Sequence, residues 1–343
     1  MQNIEQNASL QILLTGAGSI GRRHAQNLRT MLPNANYSVV CRSEDSRAWA
    51  NAFGAQIKLS VDDALQSKVD LAVISSGSVR HADELMKIMP HVQALYVEKP
   101  LLTDSTALIA LKSLLANGWK KASVVGCNLR YLGAIEKLHQ AITAGMVGRV
   151  VHASLRVGQW LPDWRASRDW RAGYSAHRDQ GGGVIFDLVH ELDSAIRLFG
   201  PIANGQAAAA SLSSLAIDAD DSAAIILQMQ SGLPVQIGLD YVSRQPIREY
   251  FVVGDQASLR LDILGRQLQL INATETRLLH TVEADWDVAS TYTLAMADLV
   301  RAWHSGTPSC YGLLQALHTT EWMLKLEKNA WRTQASTLKN PSV

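Results

Sequence analysis

The sequence has almost no excess of charge of either sign: 32 lysines and arginines face 31 aspartates and glutamates, a net charge of +1. A nucleic-acid-binding protein usually carries a strong basic excess, so this class is excluded. Three cysteines occur, Cys41, Cys127 and Cys310, too few and too scattered for a disulfide framework or a zinc site. We therefore predict no bound metal, and we expect Cys41 and Cys127 to be buried core thiols.

Long apolar runs are also missing. No uncharged apolar stretch approaches the ~20 residues needed to cross a bilayer. The first residues, MQNIEQNASLQ, lack the basic-then-apolar order of a signal peptide. We therefore expect a cytoplasmic protein with no membrane partner. The 343 residues, 47% of them hydrophobic and 18% charged, are enough for two packed domains.

The first third of the chain alternates short apolar runs with helical stretches. The runs are β-branched and apolar on both faces, which is typical of parallel strands covered by helices. They lie at residues 10–14, 37–41, 71–74, 94–97 and 123–126. This alternation predicts a doubly wound parallel sheet, the Rossmann fold, over residues 1–127.

After Gly126 the pattern changes. Helices are predicted at 134–144, 184–199, 291–303 and 312–327, and strands at 207–212, 223–228, 235–239, 249–253 and 268–271. No long helix separates the strands, which favours one antiparallel sheet. We predict a second, α+β domain over residues 128–343, with its C-terminal helix packed back on the Rossmann domain.

A glycine-rich turn directly follows the first predicted strand and opens a helix, with the sequence Gly16-Ala17-Gly18-Ser19-Ile20-Gly21. In this position a GxGxxG pattern predicts a dinucleotide-binding turn. Gly16 permits the tight turn, Gly18 lets the backbone approach a pyrophosphate, and Gly21 lets helix and strand pack closely. Ser19 and Ile20 begin the helix whose free N–H groups would bind the phosphates.

The residue after the second predicted strand bears on the choice of cofactor. An NAD-preferring site places Asp or Glu there to accept hydrogen bonds from the ribose. This chain has Arg42 followed by Ser43, and a guanidinium suits a 2′-phosphate. NADP(H) is therefore favoured. Glu44 or Asp45 could support NAD(H) if the strand ends later.

Polar residues follow the remaining strands at the edge where ligands bind in open α/β sheets. Cofactor contacts are predicted at Ser75, Ser76, His81, Glu98 and Lys99. Substrate contacts are predicted further along the chain, at Asn128, Arg130 and Tyr131.

Five motifs occur in the order found in the glucose-fructose oxidoreductase / inositol dehydrogenase (Gfo/Idh/MocA) family. They are GAGSIGRRH, HADEL at 81–85, VEKPL, GCNLRY and GGGVIFDLVHELD. The resemblance runs over about residues 10–327. It implies a Rossmann domain, a second domain with a large, mostly antiparallel open sheet, and nicotinamide-dependent activity on a sugar or cyclic polyol. It also implies a homodimer or homotetramer formed through that sheet.

The family's catalytic lysine, that of EKP, falls on Lys99, and its Asp and His partners fall on Asp187 and His190. Hydride transfer at a carbinol carbon must be matched by proton transfer at its oxygen, and lysine and histidine suit these tasks. The family more often spaces Asp and His four apart, whereas here the spacing is three. His190 remains the expected acid/base. Asp187 could instead contact substrate hydroxyls, with Asp193 orienting the histidine.

Tryptophan and arginine are concentrated between Arg156 and Arg178. Aromatic faces suit sugar rings, and arginine suits anionic groups, so this segment is expected to bind substrate. The predicted contacts are Trp160, Arg168, Asp169, Trp170 and Tyr174. An interface, or a stem packed on the sheet, is the alternative. The run WLPDWR…RDWRAGYS…GGG resembles a subgroup associated with nonulosonic-acid sugars, which implies an amino or charged sugar.

Two other functions stay open. Some relatives of the family use tightly bound NAD to cleave glycosides through a transient oxidation. The other hypothesis is a protein that binds the cofactor without catalysing a reaction, although the presence of both Lys99 and His190 argues against it.

Overall fold

The computed structural model describes residues 10–165 and 169–334, so the predicted substrate contact Arg168 lies outside the described residues. The chain divides into two compact units. The first consists of the residues up to Asn128 together with Ala289–Thr320, and the second contains Leu129–Val288 and the residues after Thr320. The predicted second domain, 128–343, therefore differs from the second unit, because Ala289–Thr320 belongs to the first.

The helices of the described residues have clear boundary signals. Ser43 and Ser60 accept hydrogen bonds from the first turns of the helices that follow them, and Gly54 ends a helix in the left-handed conformation. The α-helices are α1 Ser19–Met31, α2 Glu44–Phe53, α3 Val61–Ala64, α4 His81–Ile88, α5 Ser105–Ala116, α6 Gly133–Thr143, α7 Val184–Asp187, α8 His190–Phe199, α9 Ser290–Ser305 and α10 Leu313–Asn329.

The first unit contains a six-stranded parallel sheet of order β3-β2-β1-β4-β5-β6, which confirms the predicted Rossmann fold. Its strands are β1 Gln11–Leu14, β2 Asn36–Val40, β3 Gln56–Lys58, β4 Leu71–Ile74, β5 Ala94–Val97 and β6 Ala122–Val125. Every residue of β4 and β5 is buried, as a strand covered on both faces requires. The three-residue strand β3 was not predicted. α9 packs against β5, β6 and α1.

The second unit contains a nine-stranded sheet of order β14-β13-β12-β11-β7-β10-β9-β8-β15. Its strands are β7 Val150–Gly158, β8 Ile202–Ser211, β9 Ser222–Met229, β10 Pro234–Asp240, β11 Ile247–Gly254, β12 Ser258–Asp262, β13 Gln267–Ile271, β14 Thr276–His280 and β15 Trp331–Gln334. Most neighbours are antiparallel, as predicted, but β7 with β10 and β8 with β15 are parallel. β7, β12, β14 and β15 were not predicted.

One face of this large sheet is covered and the other is open. Leu155 and Ile237 are paired neighbours on the covered face, where α6 and α8 pack, and both are fully buried. On the opposite face Gln236 is exposed, and Ile226 beside it is 66% exposed. The core of the second unit therefore lies on one side of its sheet only.

The prediction of one helix over 184–199 is wrong. The structure breaks this segment into α7 and α8, with Leu188 and Val189 between them. All residues from Val184 to Ala195 are buried, so apolar residues continue through the break. The apolar spacing on which the prediction rested therefore gave no sign of it. Asp187 and His190 therefore do not share one helix face.

Two further expectations can be compared with the structure. Cys41 and Cys127 are buried, as predicted, and Cys310 is exposed. In the described part of the chain, no helix is both long and apolar enough to cross a membrane.

Candidate active site

The glycine turn of the first unit has the shape that its sequence predicted. A Cβ atom on Gly16 would lie 2.5 Å from the carbonyl oxygen of Ser75, and one on Gly21 would lie 2.1 Å from the carbonyl oxygen of Gly16. A Cβ on Gly18 would meet nothing within 4 Å. Gly16 and Gly21 are therefore required by the packing of the turn, whereas Gly18 leaves open space beside the start of α1, as close approach by a phosphate group needs.

Ser75 and His81, two of the predicted cofactor contacts after β4, form hydrogen bonds with the backbone of the loops near the glycine turn. The hydroxyl of Ser75 donates to the carbonyl oxygen of Gly16 at 3.2 Å. His81 is 1% exposed, and its ring nitrogens lie 2.8 Å from the carbonyl oxygen of Pro100 and 3.2 Å from that of Ser76. His81 thus ties the loop after β4 to the loop after β5.

Glu98 is buried and bound from two sides. Its Oε1 lies 2.7 Å from Nε2 of His24, and its Oε2 accepts from the backbone N–H of Lys99 at 3.1 Å. His24 is fully buried in α1, two residues beyond Arg22, and its ring lies 4.5 Å from that of Tyr96. The hydrogen bond from the N–H of Lys99 to Glu98 restrains the backbone at Lys99. The peptide bond between Lys99 and Pro100 is cis.

Arg42 lies beyond the carboxyl end of β2, as predicted, but it has a protein partner. Its Nη2 donates to Oε1 of Glu84 at 3.0 Å, and the other oxygen of Glu84 accepts from the hydroxyl of Ser76 at 2.8 Å. The side chain of Arg42 is 42% exposed, whereas that of Glu84 is 2% exposed. Ser43 uses its hydroxyl to cap α2 through Ser46.

Asn128 ends the first unit and is 2% exposed. Its amide donates to the hydroxyl of Thr291 in α9 at 2.7 Å. This predicted substrate contact therefore connects the end of the parallel sheet to α9, within the first unit.

In the second unit, Asp187 is surrounded by hydroxyl groups. Its carboxylate accepts from Tyr174 at 2.5 Å, from Ser175 at 2.5 Å and from Tyr241 at 3.0 Å, and the residue is 2% exposed. Burial, and then the charge of Asp187, raise the pKa of Tyr241 well above its usual value, so this hydroxyl remains a donor. The sequence predicted both Asp187 and Tyr174 as site residues, but it did not predict Ser175 or Tyr241.

His190 begins α8 and is followed by carboxylates that face arginines. Glu191 is fully buried and accepts from Nε of Arg248 at 2.8 Å. Asp193 accepts two hydrogen bonds from Arg130, at 2.7 and 2.9 Å. The predicted substrate contact Arg130 is therefore part of a largely buried, bidentate ion pair, and it restrains the helix that carries His190.

The aromatic residues of the predicted substrate segment have cationic neighbours. The guanidinium of Arg244 lies 3.5 Å from the ring centre of Trp160, and that of Arg171 lies 4.2 Å from the ring centre of Trp170. Asp169 caps the short 3-10 helix Trp170–Ala172 through the N–H of Arg171. Tyr131 is half-buried in the 3-10 helix Asn128–Tyr131.

One group in the described residues has a geometry that could bind a metal. Ligand atoms of His177, Asp179 and Asp218 all lie within 4.8 Å of one another. The imidazole of His177 lies 2.7 Å from the carbonyl oxygen of Arg171, and Asp218 accepts from the N–H of Arg178 at 2.8 Å. These contacts explain the cluster as part of the loop, since both groups already have partners there.

Comparison with known proteins decides the family. The GFO/IDH/MocA oxidoreductase family, described as having an NAD-binding Rossmann fold, matches residues 10–125, and its C-terminal domain matches residues 135–260. The chain belongs to the GFO/IDH/MocA family. The resemblance carried by the five sequence motifs is thereby confirmed.

The relatives of this chain are named for different compounds. The chain is 27% identical over 228 residues to inositol 2-dehydrogenase of Rhizobium meliloti (strain 1021), covering 64% of this chain and 65% of that protein. It is 21% identical over 193 residues to 2,7-anhydro-N-acetylneuraminate hydratase of Escherichia coli (strain K12), covering 55% and 49%. The matched parts thus span between about half and just under two thirds of these two relatives.

A solved structure of levoglucosan dehydrogenase, in complex with NADH and levoglucosan, shares the fold. Its TM-score is 0.80, the identity is 16%, and the match covers 94% of this chain and 97% of the other. The agreement in fold extends over both units, although so low an identity transfers no residue roles.

Four residues that contact the predicted site of this GFO/IDH/MocA protein were not predicted from the sequence: His24, Glu84, Ser175 and Tyr241. His24 stands in the GRRH motif, three residues after Gly21, so its position next to the glycine turn was a usable signal. Glu84 lies within the HADEL motif. Tyr241 is distant in sequence from Asp187, and only the pairing of strands brings it there.

Proposed function

We propose that this protein transfers a hydride between a nicotinamide dinucleotide and a hydroxyl or keto carbon of a sugar, amino sugar or cyclic polyol. The observation that carries the proposal is the glycine turn, where Gly16 and Gly21 are packed against backbone and Gly18 opens onto the start of α1. This is the arrangement that binds a dinucleotide pyrophosphate in a Rossmann unit. Membership of an oxidoreductase family supports the same reaction.

Lys99 and His190 are the proposed catalytic residues. The bound dinucleotide would accept or supply the hydride. Lys99 would polarise the substrate oxygen, and His190 would take up or return its proton. The contact of Glu98 with the N–H of Lys99, and the bidentate pair of Arg130 with Asp193 in α8, support these roles because they restrict the backbones that carry both side chains.

Asp187 is proposed as a positioning residue for this site. Its oxygens accept from three hydroxyl groups, so the carboxylate is satisfied within the second unit. Through Tyr174 it orients a side chain of the substrate segment. We propose this positioning role beside the one that the resemblance implies for Asp187, as a catalytic partner of Lys99 and His190.

The proposed cofactor is NADP(H), with NAD(H) as the alternative. Arg42 supports NADP(H), since its exposed guanidinium stands after β2, where the adenine ribose binds in Rossmann units. Ser75, Ser76 and His81 are proposed to shape the cofactor loops rather than to carry the charge of the dinucleotide, because each is bonded to neighbouring protein groups.

The proposed substrate carries several hydroxyl groups and an amino or anionic substituent, as a nonulosonic-acid sugar does. Trp160 and Trp170 support a ring-shaped ligand, and the nearby Arg244 and Arg171 support a negative group on it. Relatives named for inositol and for an anhydro-N-acetylneuraminate support the same compound classes.

A homodimer or homotetramer is proposed to form through the open face of the large sheet. Ser154 and Gln236 pair in register on that face, and Phe251 pairs with Ser154. Together with the exposed Ile226 they form a surface of mixed polarity, which suits an interface between copies.

The test is a panel of sugars, amino sugars, sialic-acid-like sugars and inositols, assayed with both dinucleotides. A dehydrogenase changes the nicotinamide absorbance in step with substrate. The alternative, an NAD-dependent glycoside hydrolase, would release product without net change in absorbance. A non-catalytic cofactor-binding protein would bind dinucleotide and turn over nothing. Failure to bind either dinucleotide would overturn the proposal.

A further inference from the structure

A polar cavity of about 410 Å³ lies in the first unit, at the edge of the parallel sheet formed by β1, β2 and β3. Most of its strand residues come from the amino-terminal halves of these strands, whereas the glycine turn follows the carboxyl end of β1. Its lining consists of Gln11, Arg29, Ala35, Asn36, Tyr37, Ser38, Gly54, Gln56, Lys58, Ala64, Ser67 and Lys68. No aspartate or glutamate is among these residues.

The strand pairing places the polar lining residues on one face of the sheet. Gln11 pairs with Asn36, and Ser38 pairs with Gln56. Side chains alternate between faces along a strand, so Asn36 and Ser38 share a face, as do Gln56 and Lys58. A parallel sheet normally has both faces covered by apolar contacts. Here the corresponding positions carry amides, a hydroxyl and an ammonium group.

This face remains open because the connection after β3 contains little helix. α3 has four residues, and α4 begins only after β4. A four-residue helix rises about 6 Å, which is too short to cover the length of the neighbouring strands. The short α3 therefore leaves room for the cavity beside these strands.

Lys58 places a positive charge in the lining of the cavity. The residue is 8% exposed, and no carboxylate of the described residues forms an ion pair with its ammonium group. Arg29 has partners of its own: although its Nε is buried without a hydrogen bond, its Nη2 donates to the carbonyl oxygen of Phe53, and its guanidinium lies over the rings of Tyr37 and Phe53. The third cation of the lining, Lys68, pairs with Asp70 at 2.7 Å. A buried charge is costly unless a counter-charge or water compensates it.

We propose that this cavity is a binding site for a small metabolite bearing an oxyanion, a phosphate or carboxylate group, with Lys58 as its counter-charge. The side-chain amides of Asn36 and Gln56 supply hydrogen-bond donors around the anion. The volume fits a ligand of small-metabolite size, since small-molecule sites usually measure roughly 300–1,000 Å³. The site is separate from the proposed dinucleotide site.

Calorimetric titration of the full chain with inorganic phosphate and with citrate tests this site, with sodium chloride at equal ionic strength as the control. Saturable binding of one or both anions is expected, and the arm with the higher affinity identifies the preferred group. Lys58→Met should weaken that binding by roughly tenfold or more, while Lys58→Arg should retain most of it. Lys87→Met, which removes an exposed lysine paired with Asp62, should change nothing.

A second variant keeps the test decisive if Lys58→Met does not fold. Gln56→Glu places a carboxylate two residues from Lys58 on the same face, at an exposed position, and should abolish anion binding by providing an internal counter-charge. A phosphate ion bound at the glycine turn would be insensitive to both substitutions. Absence of saturable binding, or equal affinity in the wild type and in folded Lys58 and Gln56 variants, would overturn the proposal.

Discussion

The buried carboxylate of Glu84 accepts a hydrogen bond from the exposed guanidinium of Arg42 at 3.0 Å. Arg42 lies in the loop after β2, and Glu84 belongs to α4, so the pair joins this loop to that helix within the first unit. Glu84 provides a buried negative charge next to the guanidinium, from a segment about forty residues further along the chain. The charge of Glu84 would therefore weaken the attraction that we propose between Arg42 and a 2′-phosphate.

Glu84→Gln should increase the preference for NADPH over NADH by about tenfold, because the neutral amide no longer repels a 2′-phosphate bound by Arg42. The measurement is the ratio of the two dissociation constants from fluorescence titration. Asp83→Asn is the matched control, since Asp83 is the preceding residue of α4 and its side chain is 70% exposed. A fall in the ratio would show instead that Glu84 serves only to orient Arg42.

Gly16→Ala and Gly18→Ala should separate stability from cofactor binding. An added Cβ at Gly16 would approach the backbone of Ser75 to 2.5 Å, so the free energy of unfolding should fall by roughly 1–3 kcal/mol. The same change at Gly18 meets nothing, and its φ of −69° suits alanine. Gly18→Ala should leave thermal unfolding unchanged yet weaken dinucleotide binding by roughly tenfold or more, through contact with the pyrophosphate. Equal affinity in this variant and the wild type would contradict the proposed binding mode.

Lys99→Ala should lower kcat by roughly 10²–10⁴-fold while dinucleotide affinity changes little, since Lys99 is proposed to act on the substrate oxygen. Steady-state kinetics on the substrate found by the panel, together with a binding titration, measure both quantities. Lys120→Ala, at an exposed site between α5 and β6, is the control. Undiminished turnover in the Lys99 variant would remove it from the mechanism.

Tyr241→Phe should lower the free energy of unfolding by about 1–3 kcal/mol, because the buried carboxylate of Asp187 loses one of its hydroxyl donors. Urea unfolding measures this change. Tyr174→Phe removes another donor to the same carboxylate and should in addition raise KM, since Tyr174 lies in the substrate segment. If both variants changed stability alone, Tyr174 would have no part in binding substrate.

Glu191→Gln should become more stable relative to the wild type as the pH rises from about 4 to 7. Burial, only partly offset by Arg248, raises the pKa of Glu191. The folded chain therefore keeps this proton at pH values where the unfolded chain releases it, so ionisation opposes folding as the pH rises. Glutamine cannot ionise, so the variant does not lose stability in this way as the pH rises. Unfolding by urea across this range gives the difference, and a trend of opposite sign would mean that the pair with Arg248 dominates.

Strands with continuous apolar runs, such as β4 and β5, were predictable because burial on both faces leaves a strong local signal. β7 and β12 alternate buried with partly exposed positions and carry charged residues, so their pattern was too weak to detect. The break between α7 and α8 was unpredictable for the opposite reason: residues on both sides of it are buried, and helical spacing alone gives no sign of an interruption.

In the candidate site, too, some residues could be predicted from the sequence and others could not. Gly16, Gly18, Gly21 and Arg42 were predicted from their neighbours in the chain, a strand before and a helix after, whereas Lys99 was predicted from the resemblance of its EKP motif to the family. What only the tertiary structure decided is how the charges of the site are balanced. Arg42 faces Glu84, Glu98 faces His24, and Asp187 faces the hydroxyl of Tyr241. Such pairs join segments far apart in sequence, and whether a buried charge binds a ligand or a neighbour depends on which segments the fold brings together.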